Sequence, residues 1–153
     1  MSIKPTGKVN DWSNIFHTTI GGNHGKYGDR VPGIWFRKNT NKLHICSAVS
    51  GKVNYCYDSQ SLPTNKFTQL MVRQIQKEDD NRYHYQIFVN NKKVHEIVNT
   101  KPEVFKNVVF YAADKWYKPA KAQLRKVNFV MHKHRGKLSF EINSISQNSL
   151  LPT

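Results

Sequence analysis

Long apolar runs are missing from this chain. No stretch approaches the ~20 consecutive apolar residues that a membrane-spanning helix needs, so insertion by such a helix is not expected. Sustained helical periodicity is missing too, and with it the expectation of any long helix. Acidic residues are scarce: Asp and Glu total 10 against 24 Lys and Arg. That leaves no Asp-rich loop of the kind that gathers the several oxygen ligands of a calcium ion. Only two cysteines occur, without the close spacing or second ligand pair of a structural zinc site. No Asn-x-Ser/Thr sequon is present, so glycosylation gives no evidence on secretion. The opening Met1-Ser2-Ile3-Lys4-Pro5 lacks the apolar core of a signal peptide.

What is there is a basic chain of 153 residues, one domain's worth. The hydrophobic fraction is 38% and the aromatic fraction 12%, spread along the chain in short alternating runs that suit a folded core rather than disorder. A formal net charge of +14 attracts polyanions by long-range electrostatics and counterion release. Nucleic acid, sulfated or uronic-acid glycans, anionic lipid and mineral surfaces all qualify, and charge alone does not choose among them.

Cys46 and Cys56 flank a hairpin signal, Ser50-Gly51-Lys52, and stand equidistant from Gly51. On adjacent antiparallel strands they would face each other closely enough for a disulfide. The alternative is a pair of buried thiols. A disulfide favours an oxidising, extracellular compartment; the opening without a signal peptide fits either an intracellular protein or a mature or recombinant form.

Short strands separated by turn signals run through the rest. They are expected at residues 12–20, 34–36, across the cysteine hairpin, and at 67–76, 83–89, 93–98, 107–112, 123–131 and 138–145. Asn-rich turns such as Asn90-Asn91-Lys92 tolerate the left-handed backbone of tight hairpins. About ten such strands argue for an all-β sandwich or barrel. Residues 12–145 read as a single domain, 1–11 as an N-terminal extension and 146–153 as a loose tail.

The run Phe67-Thr68-Gln69-Leu70-Met71-Val72-Arg73-Gln74-Ile75, then Tyr83, Tyr85, Ile87 and Val89, then Asn90-Asn91-Lys92-Lys93-Val94, resembles the middle of laminin-G-like and concanavalin A-like jelly-roll domains. The segment from Phe110 to Ala120, followed by Leu124-Arg125-Lys126-Val127, resembles a closing segment of such modules in invertebrate secreted and matrix proteins. The resemblance spans residues 12 to 130. It implies two curved antiparallel sheets packed as a jelly-roll sandwich, binding through edge loops to carbohydrate or matrix proteins, sometimes with calcium. Fold alone does not settle function in such a family.

Three loops concentrate candidate binding residues. The glycine-rich loop carries His24, Lys26, Tyr27, Asp29 and Arg30. It lacks the Lys-Ser/Thr and helix start of a nucleotide cradle, but its polar members are placed to line a ligand site. The second loop, Lys115, Trp116, Tyr117 and Lys118, combines faces on which sugar rings pack with charges that pair with sulfate or carboxylate; Trp116 could equally fold inward. The basic turn around His132 and His134 contributes Lys133 and Arg135, set against the plain reading of a solvated hairpin tip. Asp29, Asp58 and Asp114 are the scattered acids that a calcium ion would use.

Catalytic patterns are lacking: there is no Glu-x-Asp-x-x-Glu run, no paired acids across a sugar site and no nucleophile elbow. The sequence therefore reads as a non-catalytic, secreted binding module for anionic glycans or matrix partners. A self-associating structural or mineral-matrix protein and a nucleic-acid-binding β-domain are the alternatives.

Overall fold

The computed structural model describes residues 1–134 and 137–143. They form strands and turns without a helix, arranged as two sheets of a sandwich-like all-β fold. In the first sheet, β6 (Thr68–Gln76) is central. It pairs on one side with β7 (Tyr83–Val89), which continues to β8 (Lys92–Val98). Its other side is shared by two strands. Strand β1 (Ser2–Pro5) takes the start of β6, and β13 (Lys137–Asn143) takes its end. Strands β11 (Ala122–Arg125) and β12 (Asn128–His134) flank β1 and β13 in turn.

The second sheet runs from β5 (Lys52–Ser61) through β4 (Lys42–Val49) and β3 (Gly33–Phe36) to β2 (Ser13–Thr19). The far edge of β2 is again divided. Strand β10 (Lys118–Pro119) lies parallel to its start, and β9 (Val109–Tyr111) lies antiparallel to its end. Every other pairing is antiparallel.

Alternation along each strand assigns the two faces. Inward-facing Ile34, Phe36, Leu43 and Ile45 of the second sheet join Ile3, Leu70, Val72, Tyr85, Ile87 and Ile142 of the first in one buried core. Yet every residue of β2 and β3 is buried, on both faces. Something must cover the outer face of these strands. That cover is made by the loops 20–32 and 112–117, and it forms the candidate site.

Several boundaries differ from the sequence expectation. Residues 1–11 were expected outside the domain, but Ser2–Pro5 forms a strand in the first sheet, and Met1 and Ile3 are fully buried in the core. The single strand expected over 123–131 is two, because Lys126 turns the backbone to φ 53° between β11 and β12. The polar segment after Asp58, read as loop from Ser59, continues β5 to Ser61. The end of the domain at 145 and the tail 146–153 lie outside the described residues.

The Cys46–Cys56 disulfide is present. Its register depends on a detail that counting from Gly51 passed over. The turn is Ser50-Gly51, both with positive φ, which pairs Val49 with Lys52. Strict pairing from there would set Cys46 opposite Tyr55. An extra residue in β5 between the Ser47–Tyr55 and Val49–Lys52 pairs shifts the register by one and brings Cys46 opposite Cys56.

Candidate functional site

The outer face of the second sheet presents His17 from β2, Gly33 and Trp35 from β3, His44 and Cys46 from β4, and Cys56 and Asp58 from β5. These residues share a face because they are alternate on their strands and directly paired across them. Gly33 is required here: a Cβ at this position would stand 1.9 Å from the Trp35 ring, which lies flat over the strand.

His17 ties both covering loops to this face. Its ring is wholly buried; Nδ1 lies 2.8 Å from Asp114 Oδ2, and Nε2 lies 2.6 Å from the Asp29 carbonyl oxygen. One ring nitrogen thus reaches each covering loop. Asp114 is further fixed by accepting from the backbone N–H groups of Trp116 and Tyr117, while its own N–H donates to Asn14 Oδ1. The aromatic loop is thereby clipped over β2, in the gap between β9 and β10. The glycine loop is closed by Asp29, whose Oδ2 accepts from the Lys26 N–H.

Arg30 is the central cation, only 5% exposed. Its guanidinium stacks 4.3 Å from the Trp35 ring centroid. Nε donates to the Asn23 carbonyl, Nη1 to Asn54 Oδ1, and Nη2 to Asn23 Oδ1 and the Tyr117 hydroxyl. Every one of these acceptors is a neutral oxygen. Burial lowers the guanidinium pKa, opposed by Tyr117 and by the more distant charges of Asp114 and Asp29. The charge is thus held in a partly desolvated place without a directly bonded carboxylate.

A cleft of about 230 Å³ opens beside Arg30, lined by Trp12, His24, Arg30, Trp35, His44, Asn54 and Tyr117. Trp12 packs edge-on against His44, with ring centroids 4.8 Å apart. The Trp35 indole Nε1–H is buried, with no hydrogen-bond partner among the described residues. His44 Nδ1 lies 2.7 Å from Asp58 Oδ1, and Arg37 also binds Asp58. Partial burial raises the Asp58 pKa, but the hydrogen bonds and charges of His44 and Arg37 outweigh it and hold the carboxyl below its usual value. A second cavity of about 280 Å³ is lined by Asn14, Ile15, Ala112, Ala113, Ala120, Ala122 and Leu124. It offers no charged group to an anion.

Of the residues singled out in the sequence, His24, Arg30 and Tyr117 meet in the cleft. Trp116 is half-buried outside the cleft lining, packed on His17 and Tyr111. Lys115 lies over the Trp116 ring, and Lys118 faces Asp11; both are exposed. Lys26 is exposed, and Tyr27 turns away to pack on Phe105 and donate to the Lys101 carbonyl. Arg135 and the side chain of Lys133 lie outside the described residues. The three acids considered for calcium are each committed elsewhere: Asp29 to Lys26, Asp58 to His44 and Arg37, Asp114 to His17. Trp12, Trp35, His44 and Asn54 had not been picked out. The strict alternation of β4 and the pairing of the cysteine hairpin were the available signals for His44. Trp12 and Trp35 carried no local mark of being near Arg30. Comparison with protein-family models, with curated proteins and with solved structures yields no match.

Proposed function

We propose that this chain is a secreted, non-catalytic binding module of the laminin-G-like jelly-roll kind, and that its cleft takes one anionic sugar residue, a uronate or a sulfated ring. The observation that carries this reading is Arg30: a buried guanidinium whose bonded acceptors are all neutral, stacked on the Trp35 ring and donating to the Tyr117 hydroxyl. An anion entering the cleft would supply the opposite charge that burial otherwise denies it. Trp12 offers a half-buried aromatic face, and the Trp35 indole N–H a donor still without a partner. The cleft is smaller than the roughly 300 Å³ at which drug-sized pockets begin, which suits one ring rather than a buried chain. Exposed Lys115 and Lys118, on the same loop as Tyr117, would meet the neighbouring residues of a longer anionic glycan.

The test is a binding panel of uronate-bearing, sulfated and neutral oligosaccharides with single-stranded and duplex DNA, at low and physiological salt, with and without calcium. Acidic oligosaccharides should remain bound at physiological salt, whereas DNA should be lost with salt. Arg30→Met should weaken the acidic ligand by about 2 kcal/mol or more, roughly thirty-fold. Trp12→Ala, at a half-buried position outside the core, should weaken it without altering the fold. Equal binding of all polyanions, unchanged in both variants, would reject the reading and leave a self-associating or purely electrostatic role.

A further inference from the structure

Strands β4 and β5 bring four side chains with metal-ligating chemistry into a two-by-two block on the outer face of the sheet. His44 stands directly opposite Asp58, and Cys46 directly opposite Cys56. His44 and Cys46 are two apart on one strand and so share its face, as do Cys56 and Asp58 on the other. The ligand atoms of His44, Cys46 and Cys56 all lie within 4.8 Å of one another. In a tetrahedral site with Zn–S near 2.3 Å and Zn–N near 2.0 Å, ligand atoms stand about 3.5–3.8 Å apart. Once the S–S bond is broken the two sulfurs must part to that spacing, while the imidazole nitrogen closes on them by on the order of an ångström.

The carboxylate that would orient the imidazole is already in place. His44 Nδ1 is committed to Asp58, leaving Nε2 as the nitrogen for a metal, and Arg37 anchors Asp58 from its other oxygen. A carboxylate on the far nitrogen is the usual device that orients a metal-bound imidazole and raises its basicity. Cys46 is fully buried, but Cys56 is partly exposed and His44 lines the open cleft, so an ion has a way in. The ten-residue separation of the cysteines, which argued against zinc in the sequence, does not matter once strand pairing rather than a short loop sets their distance.

We propose that, once reduced, Cys46 and Cys56 join His44 in a three-ligand site for a thiophilic divalent ion such as zinc, with Asp58 orienting the imidazole and the fourth position open to the cleft. The oxidised chain lacks the two thiolates, so the site is redox-gated. A dithiol supplies two electrons and two protons; its own sulfurs close to a disulfide as the Cys46–Cys56 bond opens to two thiols. The metal then displaces both protons and binds two thiolates and neutral His44.

Cobalt(II) added to the full chain, with and without prior reduction by a phosphine, tests this. The reduced protein should give a thiolate-to-cobalt charge-transfer band saturating at one ion per chain and displaced by zinc. The oxidised protein should give none. Cys46→Ser should abolish the one-to-one band. Asp58→Asn should weaken the metal roughly 10–100-fold while leaving the band's form intact, and His44→Ala should change both affinity and spectrum. A reduced chain that shows no band overturns the proposal. So does a band identical in His44→Ala, or loss of the β circular dichroism on reduction, because the ligands would then not be held by the hairpin.

Discussion

At the scale of single residues, the site rests on a buried histidine bonded to both covering loops. His17 is buried with acceptors at both ring nitrogens, one on each covering loop. His17→Ala leaves buried Asp114 Oδ2 and the Asp29 carbonyl without the imidazole that bonds them. An unsatisfied buried polar group costs about 1–3 kcal/mol, and chemical denaturation should register a loss of at least that size, with weaker ligand binding as the loops loosen. Gly33 carries a different constraint. Gly33→Ala drives a methyl group into Trp35 and should cost about 1–3 kcal/mol by overpacking, while Gly25→Ala in the same region meets only ordinary contact and should be close to neutral. Arg30, His24 and Tyr117 were legible in the sequence because polar and aromatic residues in glycine-rich loops stand out. Trp35 was not, since an aromatic residue inside an apolar strand reads as core. Only the pairing of Gly33 with His17 and Cys46 reveals that it faces outward, beneath a loop.

Among the elements, hairpins were the most legible. Asn90 and Asn91 both take positive φ, as their sequence suggests, and the strands on either side fall where alternation put them. Strand β1 was not legible, because four residues ending in a proline carry too little pattern, and its pairing with β6 and β11 is set by partners far along the chain. The extra residue of β5 was equally hidden, although it decides which side chain faces Cys46. Removing the disulfide as Cys46→Ala with Cys56→Ala should cost about 2–3 kcal/mol, as expected for a short closed loop. At the far end of β6 to β8, Glu96 meets Lys77, Lys93 and His84, and Asp80 meets Arg82 and His84. Hydrogen bonds from Lys77 and Lys93 hold the Glu96 carboxyl far below its ordinary value of 4.5. Its folded pKa is depressed, so its stabilisation is complete above that ordinary value and is lost as pH falls through and below it. The urea midpoint should drop between pH 6 and pH 3, and drop less in Glu96→Gln; equal acid sensitivity in both would place the effect elsewhere.

On the scale of the whole molecule, two kinds of electrostatics have to be separated. The net charge of +14 draws any polyanion and fades with salt. The Arg30 cleft is partly shielded from solvent and screened much less, so an anion seated there, as proposed, should keep its affinity as salt rises. The all-β class and the disulfide follow from local pattern, but the meeting of the two loops over β2 follows from a divided sheet edge. That edge, where β9 and β10 share one side of β2, involves residues about a hundred positions apart in sequence.

The three tryptophans offer the most direct measurement. In a titration of isotope-labelled protein with a uronate-bearing oligosaccharide at physiological salt, the indole N–H signals of Trp12 and Trp35 should shift saturably. That of Trp116, packed beneath the loop, should move far less. Shifts scattered over exposed lysines, with both cleft indoles unmoved, would contradict a seat for the anion beside Arg30.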